Sequence, residues 1–348
     1  MRNTAVATAL LAAVLFGAST PLAKGLLHDT SPQLLAGLLY LGSGGGLLLV
    51  SLVRRGRTQR EAALSRRDVP WLAGAIALGG VVGPLLLMYG LVHAPASSAS
   101  LLLNLEGVFT SLIAWAVFRE HVPRGIALGM VAIVAGGAVL SWEGHVAWGS
   151  IWGPLAVAGA GLCWAVDNNL TQRVSAGDPV QIAQIKGLVA GAVNTGIALS
   201  FGARLTAPFS VAAALLVGLL GYGVSLVCFV LALRALGTAR TGAYFSLAPF
   251  IGATLGLLLY REPVTPLFLA AAALMALGLW LHLSERHEHS HEHELLEHDH
   301  AHMHDEHHQH GHGPDDFLGG PHTHPHRHDR LAHLHPHYPD IHHRHGHS

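Results

Sequence analysis

The chain has 348 residues and a formal net charge of −1; 51% of its residues are hydrophobic, only 12% are charged, and it holds 41 glycines, 28 histidines and 2 cysteines. Mean hydropathy is +0.42 even though everything after about Ser284 is strongly polar, so the apolar density is concentrated before that point. Such a chain is not a soluble two-domain protein, because stretches of about 20 nearly uncharged residues, enough to cross a ~30 Å hydrocarbon core, recur along it. It is not a disulfide-stapled secreted scaffold either, because Cys163 and Cys228 both fall inside those stretches.

Taken in chain order, the apolar stretches predict ten membrane-spanning helices, at about 4–24, 32–53, 71–93, 97–117, 124–142, 149–171, 181–202, 208–233, 238–260 and 264–284. Met1-Arg2-Asn3 followed by an apolar run resembles a signal peptide, but that run matches 149–171 in the repeat described next and is therefore read as the first span. The glycines suit close helix approach in lipid. Lysines and arginines are uneven across the short loops. With the N-terminus cytoplasmic, 13 fall on the inside and only Lys24, Arg204 and Arg261 on the outside, which predicts that both termini are cytoplasmic.

Residues 91–120 and 233–262 superpose without a gap at an offset of 142, matching Leu91 with Leu233, Leu105 with Leu247, Arg119 with Arg261, Glu120 with Glu262 and Gly136 with Gly278. Each of these segments is apolar and closes on Arg-Glu. Earlier in the chain an offset of 148 places Ser31-Pro32-Gln33 over Pro179-Val180-Gln181. The membrane part is thus duplicated, with five spans in each copy. An odd number of spans forces the two copies into the membrane in opposite senses, and inverted repeats of this kind place their solute path near the midplane.

The segments LLLNLEGVFTSLIAWAVFREHV, YFSLAPFIGATLGLLLYREPV and CWAVDNNLT followed by Lys186-Gly187 resemble the EamA family of the drug/metabolite transporter superfamily, over about residues 4–283. The resemblance implies an all-α polytopic membrane protein: ten transmembrane helices as two inverted five-helix EamA repeats, 4–142 and 149–284. The first four helices of each half would enclose a central cavity, with the fifth outside. It also implies a transporter of small organic solutes. One departure is that Glu106-Gly107 stands where the second repeat has Ala248-Pro249; the other is the tail, 285–348.

Charged groups inside the spans are costly, so each is a functional candidate. Glu106 falls near the middle of the fourth span, with Asn104 on the same helix. A midplane carboxylate can bind a proton or a cationic group, or serve as a protonated hydrogen-bonding strut. Asp167 and Lys186 lie near the facing ends of two antiparallel spans, at similar depth, where they could gate the cytoplasmic mouth, contact solute or form a structural ion pair. Their repeat equivalents are Ser19 and Leu38. Asn168 and Asn169 flank Asp167, and at least one should face the cavity rather than lipid. Tyr89, Trp164, Tyr222 and Tyr244 are aromatic candidates for its lining.

The tail holds 23 histidines, mostly as His-X-His: His287, His289, His291, His293, His298, His300, His302, His304, His307, His308, His310 and His312 in its first part, and further runs to His347. Neutral imidazole suits zinc, nickel, cobalt or copper, and the composition gives the tail no core of its own. The tail is therefore expected to be a disordered chelator of several ions, and no cofactor is required by the membrane part. The expected partners are the lipid bilayer and a small-molecule or metal-ion substrate, with a homodimer possible and no nucleic acid. No GxxxxGK[ST] loop and no hydrolase or redox spacing is present, so the chain is read as a transporter and not an enzyme.

Two readings follow. One is an inner-membrane secondary transporter, an exporter of a metabolite, amino acid or metal, whose tail binds, senses or buffers a transition metal. The other is a metal buffer that the spans merely tether.

Overall fold

The computed structural model describes residues 2–53, 64, 66–118, 124–142, 151–172, 174, 178–205, 207–236, 241, 244–284, 288–292, 296–302, 322–328 and 332–336. Among them the membrane part is helical throughout. Its elements are α1 (Arg2–Leu26), α2 (Pro32–Val53), α3 (Val69–Ala75), α4 (Gly83–His93), α5 (Ala96–Leu102), α6 (Leu105–Phe118) and α7 (Arg124–Ser141) in the first half. The second half has α8 (Trp152–Gln172), α9 (Pro179–Ser200), α10 (Pro208–Gly218), α11 (Ser225–Leu236), α12 (Ala248–Tyr260) and α13 (Pro266–Ser284). Six helical runs, Thr4–Leu26, Pro32–Leu52, Val69–His93, Ala96–Ile113, Val180–Ser200 and Pro208–Ala232, are long and apolar enough to cross a membrane.

Local chemistry explains where helices start. Pro32, Pro179, Pro208 and Pro266 each open one, a position where the missing N–H would have had no partner and the fixed φ suits the first turn. Asp178 also caps α9, its Oδ1 accepting from the N–H groups of Val180 (2.8 Å) and Gln181 (3.4 Å).

Two features depart from ten straight spans. The third span is interrupted by a π-helical segment, Ile76–Val82, between α3 and α4, and the eighth by another, Leu219–Val224, between α10 and α11. At the repeat offset of 142, Ile76–Val82 falls on 218–224, so the irregularity is duplicated along with the sequence. The fourth span breaks at Leu103-Asn104 into α5 and α6, and Asn104 Nδ2 donates to Leu101 O (2.9 Å) across the break.

Packing follows the repeat. α2 lies along α9, where glycines let the backbones meet: a Cβ on Gly44 would stand 2.3 Å from Leu188 N, and one on Gly187 2.4 Å from Gly44 N. Two equivalent contacts join the halves: α4 of the first packs on α8 of the second, and α11 of the second packs on α1 of the first. The two fifth helices, α7 and α13, pack on each other. A core of Leu34, Leu35, Leu39, Leu87, Met88 and Leu91 fills the middle.

In the tail, Glu288–Glu292 pairs antiparallel with Ala332–Pro336, and Leu296–His302 with His322–His328. An isolated two-stranded ribbon is marginal in water at best, and these strands are mostly polar or histidine, with Leu296 and Leu334 their only large apolar residues.

Candidate functional site

The centre of the molecule is built around the repeat axis. Phe16 on α1 and Trp164 on α8 are mates at the offset of 148, and their rings meet edge-on with centroids 6.1 Å apart. Phe16 also touches Tyr222 of the second π segment (6.0 Å) and Phe245 (5.3 Å), and Tyr222 touches Tyr40 of α2 (5.4 Å). Aromatic rings from both halves therefore close on one another at mid-depth.

The first π segment is held by side chains on three helices. A π turn leaves backbone carbonyls without their usual partners. Here Gly79 O accepts from both Tyr40 Oη (2.7 Å) and Trp164 Nε1 (2.9 Å), and Gly80 O accepts from Asn194 Nδ2 (2.9 Å). Asn194 is fully buried, and its Oδ1 has no partner. On α9, Lys186, Ala190 and Asn194 recur at four-residue spacing and thus share one face. That face meets the π segment, since a Cβ on Gly80 would stand 2.7 Å from Ala190 Cβ.

Asp167 and Lys186 form a buried ion pair on this face. Lys186 Nζ donates to Asp167 Oδ1 (2.6 Å) and Oδ2 (2.8 Å), and to Thr171 Oγ1 (3.2 Å), while Thr171 Oγ1 donates to Asp167 Oδ1 (2.8 Å). The pair sits against Gly79, where a Cβ would lie 1.9 Å from Asp167 Oδ2. The lysine charge is thus taken up locally.

Glu106 stands apart from it, in the first turn of α6. Asn168 Nδ2, on α8, donates to Glu106 Oε1 (2.7 Å). Glu106 is half-buried and falls near the middle of its span, and Asn168, nearer the end of its own, is exposed; an amide facing lipid would be costly. Glu106 is within electrostatic reach of Asp167 and Tyr40. It has no cationic partner among the described residues.

Of the six polar residues expected at the cavity, two groups come together: Glu106 with Asn168, and Asp167 with Lys186. The other two act locally, Asn104 at the helix break and Asn169 through Nδ2 to Ala165 O (2.8 Å). Among the aromatic candidates, Trp164 and Tyr222 are central. Tyr89 is exposed and stacks on His93 at 4.3 Å, away from the other rings. Of the tail histidines, His289, His291, His298, His300 and His302 lie on described strands, whereas His287, His293, His304, His307, His308, His310 and His312 lie outside the described residues.

Sequence reasoning missed Phe16, Tyr40, Gly79, Gly80 and Asn194. The signal for two of them was present: Phe16 is the repeat mate of Trp164, and Gly79-Gly80 is a glycine pair inside an apolar span.

Comparison with known proteins agrees with this architecture. The chain is 29% identical over 271 residues to an uncharacterized transporter of Methanothermobacter thermautotrophicus, covering 73% of this chain and 78% of that protein. It is 30% identical over 135 residues to the pseudopaline exporter CntI of Pseudomonas aeruginosa, covering 38% of this chain and 45% of that protein. One protein of known crystal structure superposes with a TM-score of 0.59 at 18% identity, over 81% of this chain and 96% of the other, and shares the fold. The model of the EamA-like transporter family matches residues 3–142 and 151–284. With both matches falling on the two halves that the internal repeat delimits, the chain is a multi-pass membrane protein that belongs to the EamA-like transporter family.

Proposed function

We propose that the protein is a secondary transporter of the inner membrane, with both termini cytoplasmic, that exports a small solute through the space between its two halves, and that its tail binds transition metals. The observation that carries the transport reading is Glu106: a half-buried mid-span carboxylate bonded by Asn168 and without a cationic partner among the described residues, where Asp167 takes up Lys186. An uncompensated acid in that position costs too much to keep as packing alone. It suits a proton or the positively charged group of a solute, and the neighbouring rings of Phe16, Trp164, Tyr222 and Tyr40 supply apolar and π surface. Similarity to a pseudopaline exporter over 135 residues, 38% of the chain, supports export of a small organic solute. The spacing of the tail histidines supports binding of nickel, cobalt, zinc or copper by several interchangeable imidazoles.

The test is transport in inside-out vesicles, screening amino acids, nickel, cobalt and zinc with the full chain and with residues 285–348 removed. Solute accumulation that depends on Glu106 supports the reading. A protein that moves none of these solutes, yet restores metal tolerance in cells through its tail, would support a tethered metal buffer instead.

A further inference from the structure

An Arg-Glu pair closes the matching apolar segment of each half, and the second of these has no part in the centre. In the second half it is Arg261-Glu262, just beyond α12, at the end of the bundle opposite the N-terminus. Glu262 reaches across to the other half. Its Oε1 accepts from the N–H of Ala96 (2.7 Å), and its Oε2 from the N–H of Ser97 (3.0 Å) and from the Ser97 hydroxyl. These are the first residues of the fourth span, whose N–H groups have no intrahelical acceptor. A carboxylate there makes charge-assisted bonds and meets the positive end of the helix.

Two further contacts tie α1 into the same rim. Tyr260 Oη donates to Pro21 O (2.7 Å), and Lys24 Nζ donates to the carbonyl of Ala94, two residues before the fourth span. Arg261, which aims Glu262, has φ 49° and ψ 40°, the left-handed region that a residue with a Cβ seldom occupies. Strain of that kind persists where surrounding contacts hold it.

Behind the rim, the layer is closed but incompletely satisfied. Gly17, Thr20, Ser100, Leu103, Ala248 and Pro249 line a space too small for a water molecule. Helices meet there through glycine: a Cβ on Gly256 would lie 2.7 Å from Ser97 N, and one on Gly252 2.8 Å from Ser100 Oγ. Ser100 is 1% exposed, and its hydroxyl has no hydrogen-bond partner. A buried hydroxyl left unpaired carries a desolvation cost that water would relieve if the layer opened. The fourth span is divided at this level: α5 packs on α12, while α6 packs on α8 and α7.

We propose that Glu262 is a gating residue of the transport cycle. Its carboxylate latches the fourth span to the end of the ninth and so keeps this end of the path shut, and transport requires that latch to release. An ordinary helix cap stabilises one helix; this one joins the two halves, and so opposes their separation. The proposal rests on the transporter reading given above.

The test uses the full chain in membranes of known sidedness, with Cys163→Ala and Cys228→Ala as background and Ser100→Cys as reporter. A membrane-impermeant maleimide is applied from the side that carries Glu262. With Glu262 present, labelling should be slow. In Glu262→Ala it should rise about tenfold, the shift expected when a set of charge-assisted bonds is lost from one of two states, and in Glu262→Gln it should rise less. Thr20→Cys, on the facing wall of the same layer, should follow Ser100→Cys. An unchanged rate in a variant of native thermal stability overturns the latch. A rise at Ser100 without one at Thr20 means fraying of α5 alone and overturns it too. If Glu262→Ala does not fold, Glu262→Gln and Ser97→Ala carry the same comparison. Labelling needs no solute, so a negative result leaves the transport reading standing, whereas absence of vesicle transport in the native chain sinks that reading alone.

Discussion

The two halves solve one backbone problem identically and then furnish it with different chemistry. In the first half, Gly79 of the π segment lies against Asp167 of α8; in the second, its mate Gly221 lies against Ser19 of α1. A Cβ at either glycine would come within 2.5 Å of the partner's Cβ. The close approach is therefore a property of the fold, present twice. The charges are not. Asp167 and Lys186 have Ser19 and Leu38 as mates, and Glu106 has Ala248. Duplication built a symmetric frame, and the charges that break its symmetry occur in one copy only.

Making the halves alike is the sharpest way to test this. Lys186→Leu alone leaves Asp167 buried without a cation, and should cost about 3–5 kcal/mol, read as a large fall in thermal stability in detergent. Asp167→Ser with Lys186→Leu copies the first half, and should recover most of that stability. If the double variant is stable and still transports at the native rate, the pair is a strut; if it is stable but inactive, the pair serves the path. Exchanging the charges, Asp167→Lys with Lys186→Asp, should restore part of what either single change loses, and purely additive losses would count against coupling.

A smaller effect on folding, though a large one on flux, is expected from Glu106→Gln. The amide keeps the volume and a hydrogen-bonding oxygen for Asn168, so stability should change by about 1 kcal/mol or less. Vesicle transport should fall at least about tenfold, because the titratable group is gone. Native rates across the pH range would show that Glu106 is only structural.

The glycines test the shared frame itself. Gly79→Ala and Gly221→Ala should each destabilise by about 1–3 kcal/mol through overpacking. Gly79→Ala should be the worse of the two, because its Cβ would fall 1.9 Å from a carboxylate oxygen held by Lys186, whereas at Gly221 the polar atom nearby, Ser19 Oγ, is 3.2 Å away. Equal losses would mean that the ion pair yields as freely as the serine.

Removal of residues 285–348 should matter least to transport, changing vesicle rates by less than about twofold, because every span and both repeats end by Ser284. The isolated tail should bind several equivalents of zinc or nickel at neutral pH. Its affinity should fall as pH drops below about 6, because protonation removes the imidazole lone pair that ligates metal. Calorimetry with no heat of binding at neutral pH would remove metal from the reading.

Hydropathy alone located the spans, and self-comparison alone found the repeat, because lipid demands long apolar segments and duplication leaves matching residues at constant offset. The same two signals marked Glu106, Asp167 and Lys186 as unusual, since a charge in such a segment stands out whatever it touches. What they could not say is which groups meet. In a helix hydrophobic nearly all round, periodicity does not single out the face that turns inward, so the bonding of Asn168 rather than Asn169 to Glu106 depended on how α6 and α8 are rotated against each other.

The amino-acid sequence by itself determined the class, the number of spans, the twofold plan and the short set of charged candidates. Only the tertiary structure decided that the third and eighth spans carry π segments, that the fourth breaks at Leu103-Asn104, that Gly79 O serves Tyr40 and Trp164 together, and that Glu262 bridges to Ala96 and Ser97. The physical reason is that the bonds at Gly79, Gly80 and Glu262 join donors and acceptors tens to hundreds of positions apart. A backbone carbonyl freed by an irregular turn is stable only if a partner from another helix arrives to meet it, and that arrival is set by the rigid packing of helices, which no local pattern of residues encodes.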